Sequence, residues 1–271
     1  MLLQVLVSTV NQTDISLLKK MDLQSEAIII NQCNSFSFRT WKYRGKTIEW
    51  YNFPERGIGL SRNNALMRAY GDILLFADDD VTYAENYSEI IINEFMNHPS
   101  ADVIIFNLKS TNLSRPEYQN THFHRLHFFN CLKYGTMRMA VKREQIFKKN
   151  ISFSMIFGGG TVFGSGEDSV FLIDCLKKGL KIYASPCIIG KVSHKESTWF
   201  TGYNPKYFYD KGALFACIFP FLTELLCLQL CLRHKGWFTE ISMSNALKYM
   251  RKGIRAFKEG KETVPYRGEN F

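Results

Sequence analysis

"LLFADDDVTYAE", residues 74–85, sets three aspartates directly behind an apolar run. Adjacent carboxylates repel, so the triplet costs free energy unless a cation, a proton or a basic partner offsets it. The run before it reads as a buried strand, which puts the acids at the strand's carboxyl end. Successive strand residues point to opposite sides, so Asp78 and Asp80 project together and Asp79 faces away. Such a D-x-D pair of hard oxygen ligands suits Mg2+ or Mn2+, which keep further positions for substrate phosphates and water. The same acids also suit a solvated turn that caps the helix after it.

Working outward, apolar runs alternate with helical patterns. "LLQVLVSTV" (2–10) and "EAIIINQC" (26–33) read as strands around a short helix at 14–21, and strand, helix, strand implies a parallel sheet. Ser61 reads as the N-cap of "RNNALMRAY" and Gly71 as its C-terminal stop. Thr82 and Glu85 spell a capping box for a helix through about Asn97, which Pro99 ends, and "ADVIIFN" (101–107) is the next strand. Open α/β sheets bind ligands outside the carboxyl ends of their strands, where the three aspartates stand.

Downstream, "FGGGTVFGSGEDSVFLIDCLKKGLKIYASP" (157–186) supplies a mobile glycine-rich loop, a helix opened by Glu167 and Asp168, and a strand, "LKIYA". A carboxylate at a helix start is held ionised by the helix dipole, which suits a base; it is equally an ordinary helix-start charge. The glycines match neither G-x-G-x-x-G after a first strand nor a Walker A loop, so phosphate binding rests on metal and side chains.

The chain has 271 residues, 46% hydrophobic, enough for one large domain with or without an appendage. Its formal charge of +9 favours an anionic partner. No zinc-finger spacing or RNA-binding signature points to nucleic acid. Seven cysteines without a C-x-x-C pair fit a reduced, cytoplasmic setting. "MLLQVLVSTVNQTD" lacks a basic leader and a small-residue cleavage site and reads as a strand, not a signal peptide.

Taken together, "VLVSTVN" (5–11), "GLSRNNAL" (59–66), "ILLFADDDV" (73–81), "FGSGEDSVFL" (163–172) and the "VSH" of "CIIGKVSHKES" (187–197) resemble the family 2 glycosyltransferases of GT-A fold, including bacterial capsular and exopolysaccharide enzymes. The resemblance covers about residues 3–195 and implies an α/β fold, a Rossmann-like mixed sheet flanked by helices. It implies a metal-dependent transferase that moves a sugar, with inversion, from a nucleotide-sugar, a UDP-sugar first among them, to a hydroxyl of a glycan or lipid-linked acceptor.

By the same resemblance, Asp78 contacts the ribose or diphosphate, and Asp80 ligates a Mn2+ or Mg2+ ion, with Asp79 able to substitute for a neighbour. His194 matches a histidine near metal and diphosphate, though a lone histidine after a strand is equally a surface residue. Asp168 is the base and Glu167 shapes the acceptor pocket. Thr9 and Gln32 cradle the nucleoside, and Arg62 and Asn63 close over the nucleotide. The second strand ends "NQCN" (31–34) where many relatives carry an acid, and the Q-x-x-R-W signature of processive synthases is absent, so one sugar per encounter is expected.

Residues 1–200 read as the catalytic domain and 201–271 as a helical, membrane-associated extension. "GALFACIFPFLTELLCLQLCL" (212–232) is apolar, with Lys206 and Lys211 before it and Arg233, His234 and Lys235 after it. Pro220, Glu224 and Gln229 interrupt it, which favours a monotopic or re-entrant segment on the anionic inner face of the cell membrane; a helical hairpin packed on the domain is the other reading. "ALKYMRKGIRAFKEGKE" (246–262) is a basic amphipathic helix with Leu247, Met250, Ile254 and Phe257 on one side.

His122, His124 and His127 sit among aromatics in an acceptor loop or packed surface, and Trp199 and Phe157 are candidates for stacking on sugar. Two other functions fit parts of the pattern. Asp78-x-Asp80-x-Thr82 satisfies the D-x-D-x-T of haloacid-dehalogenase phosphatases, and a non-catalytic, membrane-bound sugar-nucleotide-binding protein would need the fold alone.

Overall fold

The computed structural model describes residues 1–194, 202–238 and 241–260. Trp199 lies outside them. β1 (Leu3–Val10), α1 (Ser16–Lys20) and β2 (Glu26–Gln32) form the expected parallel unit, with Val10 opposite Gln32 at the strand ends. β3 (Ser37–Tyr43) and β4 (Lys46–Phe53) follow as an edge hairpin, turned at Arg44 (φ 50°) and Gly45 (φ 76°), the two left-handed residues a tight hairpin needs. α2 (Ile58–Arg68) leads to β5 (Ile73–Asp78), parallel to β1 with Ser8 opposite Asp78.

β6 (Val81–Tyr83), α3 (Tyr87–Asn97), β7 (Val103–Ser110), β8 (His124–Arg125), β9 (Met139–Lys142), α4 (Arg143–Lys148), α5 (Glu167–Lys177) and β10 (Ile182–Val192) complete the layers. Among the described residues the sheet runs β3-β4-β2-β1-β5-β9-β7-β10-β6, with β8 on β10. Antiparallel β9 separates the parallel half from β7 and β10, so the sheet is mixed.

Alternation along the strands decides what each layer contains. On β5, Ile73, Leu75 and Ala77 join the core beneath α1 and α3, whereas Leu74 and Phe76 join the core beneath α2 and α5. Asp78, next in the second series, is thereby delivered to the α2 and α5 side.

Three local expectations are corrected. Ser61 is not an N-cap: α2 begins a turn earlier behind Gly57, and Ser61 is buried with its hydroxyl 2.9 Å from that of Ser8. Gly71 does not stop that helix, which ends at Arg68; a Cβ there would lie 2.7 Å from the Gln4 Cβ, so close packing requires glycine. The Thr82 and Glu85 capping box does not form either. Thr82 lies in β6, paired with Lys191 of β10, and its hydroxyl donates to the Lys20 carbonyl. Pairing with a strand about a hundred residues away overrides the local helix signal.

The glycine-rich stretch forms a closed turn. Gly158 N–H donates to Phe163 O at 2.8 Å, Phe163 N–H to Ile156 O at 2.9 Å, and Ile58 N–H to Gly159 O at 3.0 Å. The turn is thereby fastened to the start of α2. β10 extends well past "LKIYA", with register shifts on either side of Ile188 that accommodate Pro186.

The apolar stretch 212–232 divides into α6 (Pro205–Ile218) and α7 (Thr223–Arg233), broken at Pro220. Among the described residues no helix is long and apolar enough to cross a membrane. α8 (Met243–Lys258) crosses α6 so closely that a Cβ on Gly212 would lie 2.0 Å from Met250 O, and one on Gly253 1.9 Å from Tyr209 O. The stripe of Met250 and Ile254, with Leu247 and Phe257 packed beside it, is therefore core. α6 also contributes Ala213, Leu214 and Ile218 to the core that holds Val170 and Phe171 of α5. All seven cysteines are free.

Candidate active site

A cleft of about 450 Å³ opens at the carboxyl ends of β1, β2 and β5, lined among others by Thr9, Gln32, Asp78, Asp79, Asp80 and His194. A second cavity of about 410 Å³ lies on the α6 side and contains Asp168, Lys206, Asp210 and Lys211. Glu167, Arg115 and Gly159 border both, so the two spaces meet.

Arg62 joins the acidic centres. Its guanidinium, on a residue only 4% exposed, donates from Nη2 to Asp78 Oδ1 at 3.1 Å, and from Nη1 to Asp168 Oδ1 at 3.0 Å and Glu167 Oε1 at 3.2 Å. One side chain therefore brings together carboxylates some ninety residues apart in sequence. Burial alone would lower the Arg62 pKa, but Asp78, Asp168 and Glu167 outweigh it and push it further up. Both its Nη atoms are committed to protein acids, so Arg62 organises the cleft floor.

The acids differ in environment. Burial, then the adjacent Asp168 charge, raises the Glu167 pKa against the opposing pull of Arg62. Burial raises Asp78 as well, opposed by Arg62. Asp168 takes a further hydrogen bond on Oδ1 from the Thr136 hydroxyl, in the single helical turn Thr136–Arg138, while no described residue hydrogen-bonds its Oδ2. Two glycines allow the α5 N-terminus to sit here. A Cβ on Gly158 would come within 2.9 Å of the Glu167 carboxylate, and one on Gly166 (φ 115°) within 2.9 Å of a Leu214 methyl.

β5 ends at Asp78, so strand alternation does not extend to Asp79 and Asp80, and Asp79 also lines the cleft: its Oδ2 accepts from Thr9 Oγ1 at 2.5 Å and Gln12 Nε2 at 3.3 Å. Asp80 lies beyond the end of β5. Its backbone carbonyl accepts from Ser193 N–H at 3.1 Å and Ser193 Oγ at 3.4 Å, and its carboxylate accepts from no other described residue's side chain or backbone, Ser193 included. Burial, then Asp78 and Asp79, raise its pKa.

His194 has the left-handed φ of 44° and stands beside Asp80 in the cleft lining. Its Nε2 comes within 2.9 Å of Glu117 Oε1 but off the hydrogen-bonding direction. Among the described residues no three His, Cys, Asp or Glu side chains enclose a metal by themselves. An unpartnered carboxylate with a histidine nearby is a donor set that fits Mn2+ or Mg2+ once substrate phosphates and water complete the shell.

Not every expected residue arrives. Asn63 points elsewhere, its amide exchanging hydrogen bonds with the Phe153 backbone at 2.8 and 2.9 Å in a separate cavity. Phe157 is buried core stacked on Phe163. His122 and His124 lie ring to ring at 4.8 Å, His122 exposed, and among the described residues they belong to no group of three metal-binding side chains. Thr82 is absent from the cleft lining, which removes the D-x-D-x-T reading. Sequence reading missed Thr136, in a single helical turn, Arg56 and Arg115, in loops with no local signal, and the pairing of Lys206 with Asp210 at the start of α6.

Comparison with known proteins decides the family. The model named Glycosyl transferase family 2 matches residues 8–163. The chain belongs to glycosyl transferase family 2. Membership makes it a nucleotide-sugar-dependent glycosyltransferase. No curated protein sequence matches it significantly.

Among solved structures, residues 1–349 of TarS from S. aureus superimpose with TM-score 0.61 at 15% identity, covering 100% of this chain and 98% of that one. The same fragment in complex with UDP-GlcNAc gives 0.62 at 14% identity, with the same coverage. The mannosyltransferase PcManGT from Pyrobaculum calidifontis, in complex with GDP-Man and Mn2+, gives 0.50 at 11% identity, covering 97% of this chain and 76% of that one. These likenesses establish the GT-A fold of this family 2 chain.

Proposed function

We propose that the protein is an inverting, metal-dependent glycosyltransferase that adds one sugar from a UDP-sugar to a hydroxyl of a glycan or lipid-linked acceptor in cell-surface polysaccharide assembly. The observation that carries this reading is the Arg62 bridge between Asp78, in the donor cleft, and Asp168, which lines the adjoining cavity and whose Oδ2 no described residue hydrogen-bonds. The UDP-GlcNAc complex of the similar TarS fold supports a UDP-sugar as donor.

In this reading residues 1–200 carry the catalysis. Thr9 and Gln32 line the nucleoside end of the cleft, Asp78 and Asp79 border the ribose and diphosphate, and Asp80 with His194 would hold the cation. When bound, that cation neutralises the charge growing on the leaving diphosphate. Arg62 and Thr136 hold Asp168 by one oxygen, so the other accepts the acceptor hydroxyl's proton as the sugar is attacked from the side opposite the diphosphate. Glu167, which borders both cavities, shapes the acceptor pocket beside Asp168. A thermal-shift panel of sugar nucleotides tests this. One UDP-sugar should raise the melting temperature by several degrees with Mn2+ present and much less with EDTA. A panel in which no sugar nucleotide shifts it overturns the reading.

Residues 201–271 form the extension that places the enzyme on the membrane's inner face. Leu225 (62% exposed), Leu228 and Leu232 make an exposed apolar row along α7, and Phe221 (99%) and Leu222 are exposed just before it. Exposed Arg233 and Lys235, and Lys248 and Lys252 on α8, add the positive charge that an anionic lipid surface attracts. The protein is expected to sediment with phosphatidylglycerol vesicles. Replacing Leu225, Leu228 and Leu232 together by serine should weaken that at least about fivefold. Equal sedimentation of the variant, or leucine-dependent dimers in place of vesicle binding, would defeat this part.

A further inference from the structure

The second cavity has a charge pattern that the transfer chemistry does not use. Its acids are all partnered. Lys206 Nζ lies 2.5 and 2.6 Å from the two Asp210 oxygens, and Gly164 N–H donates to Asp210 Oδ2 at 3.1 Å. Glu167 and Asp168 are both held by Arg62. Two cations in the same wall are left over. Among the described residues, neither the Lys211 ammonium nor the Arg115 guanidinium has a hydrogen bond or an ion pair.

Lys211 is the more constrained of the two. It is fixed on α6, half-buried, with Nζ 5.5 Å from the Tyr207 ring centroid. Burial pulls its pKa below the ordinary lysine value, against the opposing pull of Asp210 and Glu167. A desolvated ammonium that faces a ring but has no ion pair among the described residues costs free energy that an anion in the cavity would restore. A neutral sugar hydroxyl restores little of it. Arg115, at the border with the donor cleft, is placed to close on the same anion or on the donor's phosphates.

We propose that the acceptor is acidic: it carries a phosphate or carboxylate close to the reacting hydroxyl, and Lys211 binds that group. The inference rests on the reading of the second cavity as the acceptor pocket beside Asp168. Its chemistry calls for a preceding reaction that installs a phosphodiester or an acidic sugar in the acceptor.

The test is binding of small probes by ligand-observed NMR, with UDP and Mg2+ saturating the donor cleft. The probes are sn-glycerol 3-phosphate, glycerate and glycerol. At least one anion should bind at least tenfold more tightly than glycerol, and the tighter of the two names the group. Lys211→Met should lose that preference while UDP affinity stays within about twofold, and Lys211→Arg should keep it. Anion binding unchanged in Lys211→Met, or no anion preferred over glycerol by a protein that binds UDP, overturns the proposal. Failure of the unaltered protein to bind UDP at all would instead overturn the donor reading.

Discussion

Asp168→Asn is expected to leave UDP-sugar affinity within about threefold and to cut transfer on the order of a thousandfold, the scale of a lost general base. The geometry separates the two effects. Asp168 belongs to the cavity beyond the donor cleft, so its loss removes no expected donor contact. Asparagine keeps the shape and one carbonyl oxygen, which can still accept from Arg62 and Thr136 as Oδ1 does now. The second oxygen becomes an amide nitrogen that accepts no proton, so the acceptor hydroxyl stays protonated as it attacks. Calorimetry would follow donor binding and a coupled assay would follow UDP release with acceptor present. A variant that turns over normally is incompatible with Asp168 as the base. One that loses donor binding as strongly as turnover would place Asp168 in the donor site instead.

How far this site could be read from the chain depends on whether the signal was local. The apolar run ending in Asp78 is local: alternation on one strand sends Leu74, Phe76 and Asp78 to the same side, and it stood in plain view. The N-terminus of α5 was equally legible, since Gly166, Glu167 and Asp168 begin the helix where expected. β6 was not, because its identity as a strand depends on Val192, Lys191 and Gly190 arriving beside it. Neither was the role of Arg62. A basic residue in a helix carries no sign that three carboxylates from two distant elements converge on it. The stripe on α8 was legible as an apolar side but not for what it meets, which is α6, at the close approach of Gly212 and Gly253. The exposed apolar row belongs to α7, where Pro220 divides the run that read as one segment.

Asp80→Ala carries the other large effect, and its signs are opposite in the two states of the protein. In the metal-free protein the Asp80 carboxylate is desolvated and crowded by Asp78 and Asp79, which raises its pKa. A raised carboxyl pKa contributes stability that is present below the unfolded value and lost as pH rises through the folded one, so at pH 7 ionised Asp80 is a net cost. Alanine removes that cost, and the metal-free variant is expected to melt slightly above the parent at pH 7. With Mn2+ and a UDP-sugar the order reverses. The parent gains the binding free energy of the ternary complex, whereas the variant has lost a cleft carboxylate that no other described residue hydrogen-bonds. Donor affinity in Mn2+ should fall at least about a hundredfold, no less than the upper range for losing an outer-shell partner of a metal ligand. The decisive comparison is the effect of EDTA: it should weaken donor binding strongly in the parent and hardly at all in Asp80→Ala. Equal sensitivity to EDTA in both proteins would mean that the cation sits elsewhere and that Asp80 is only the solvated turn its sequence also allowed.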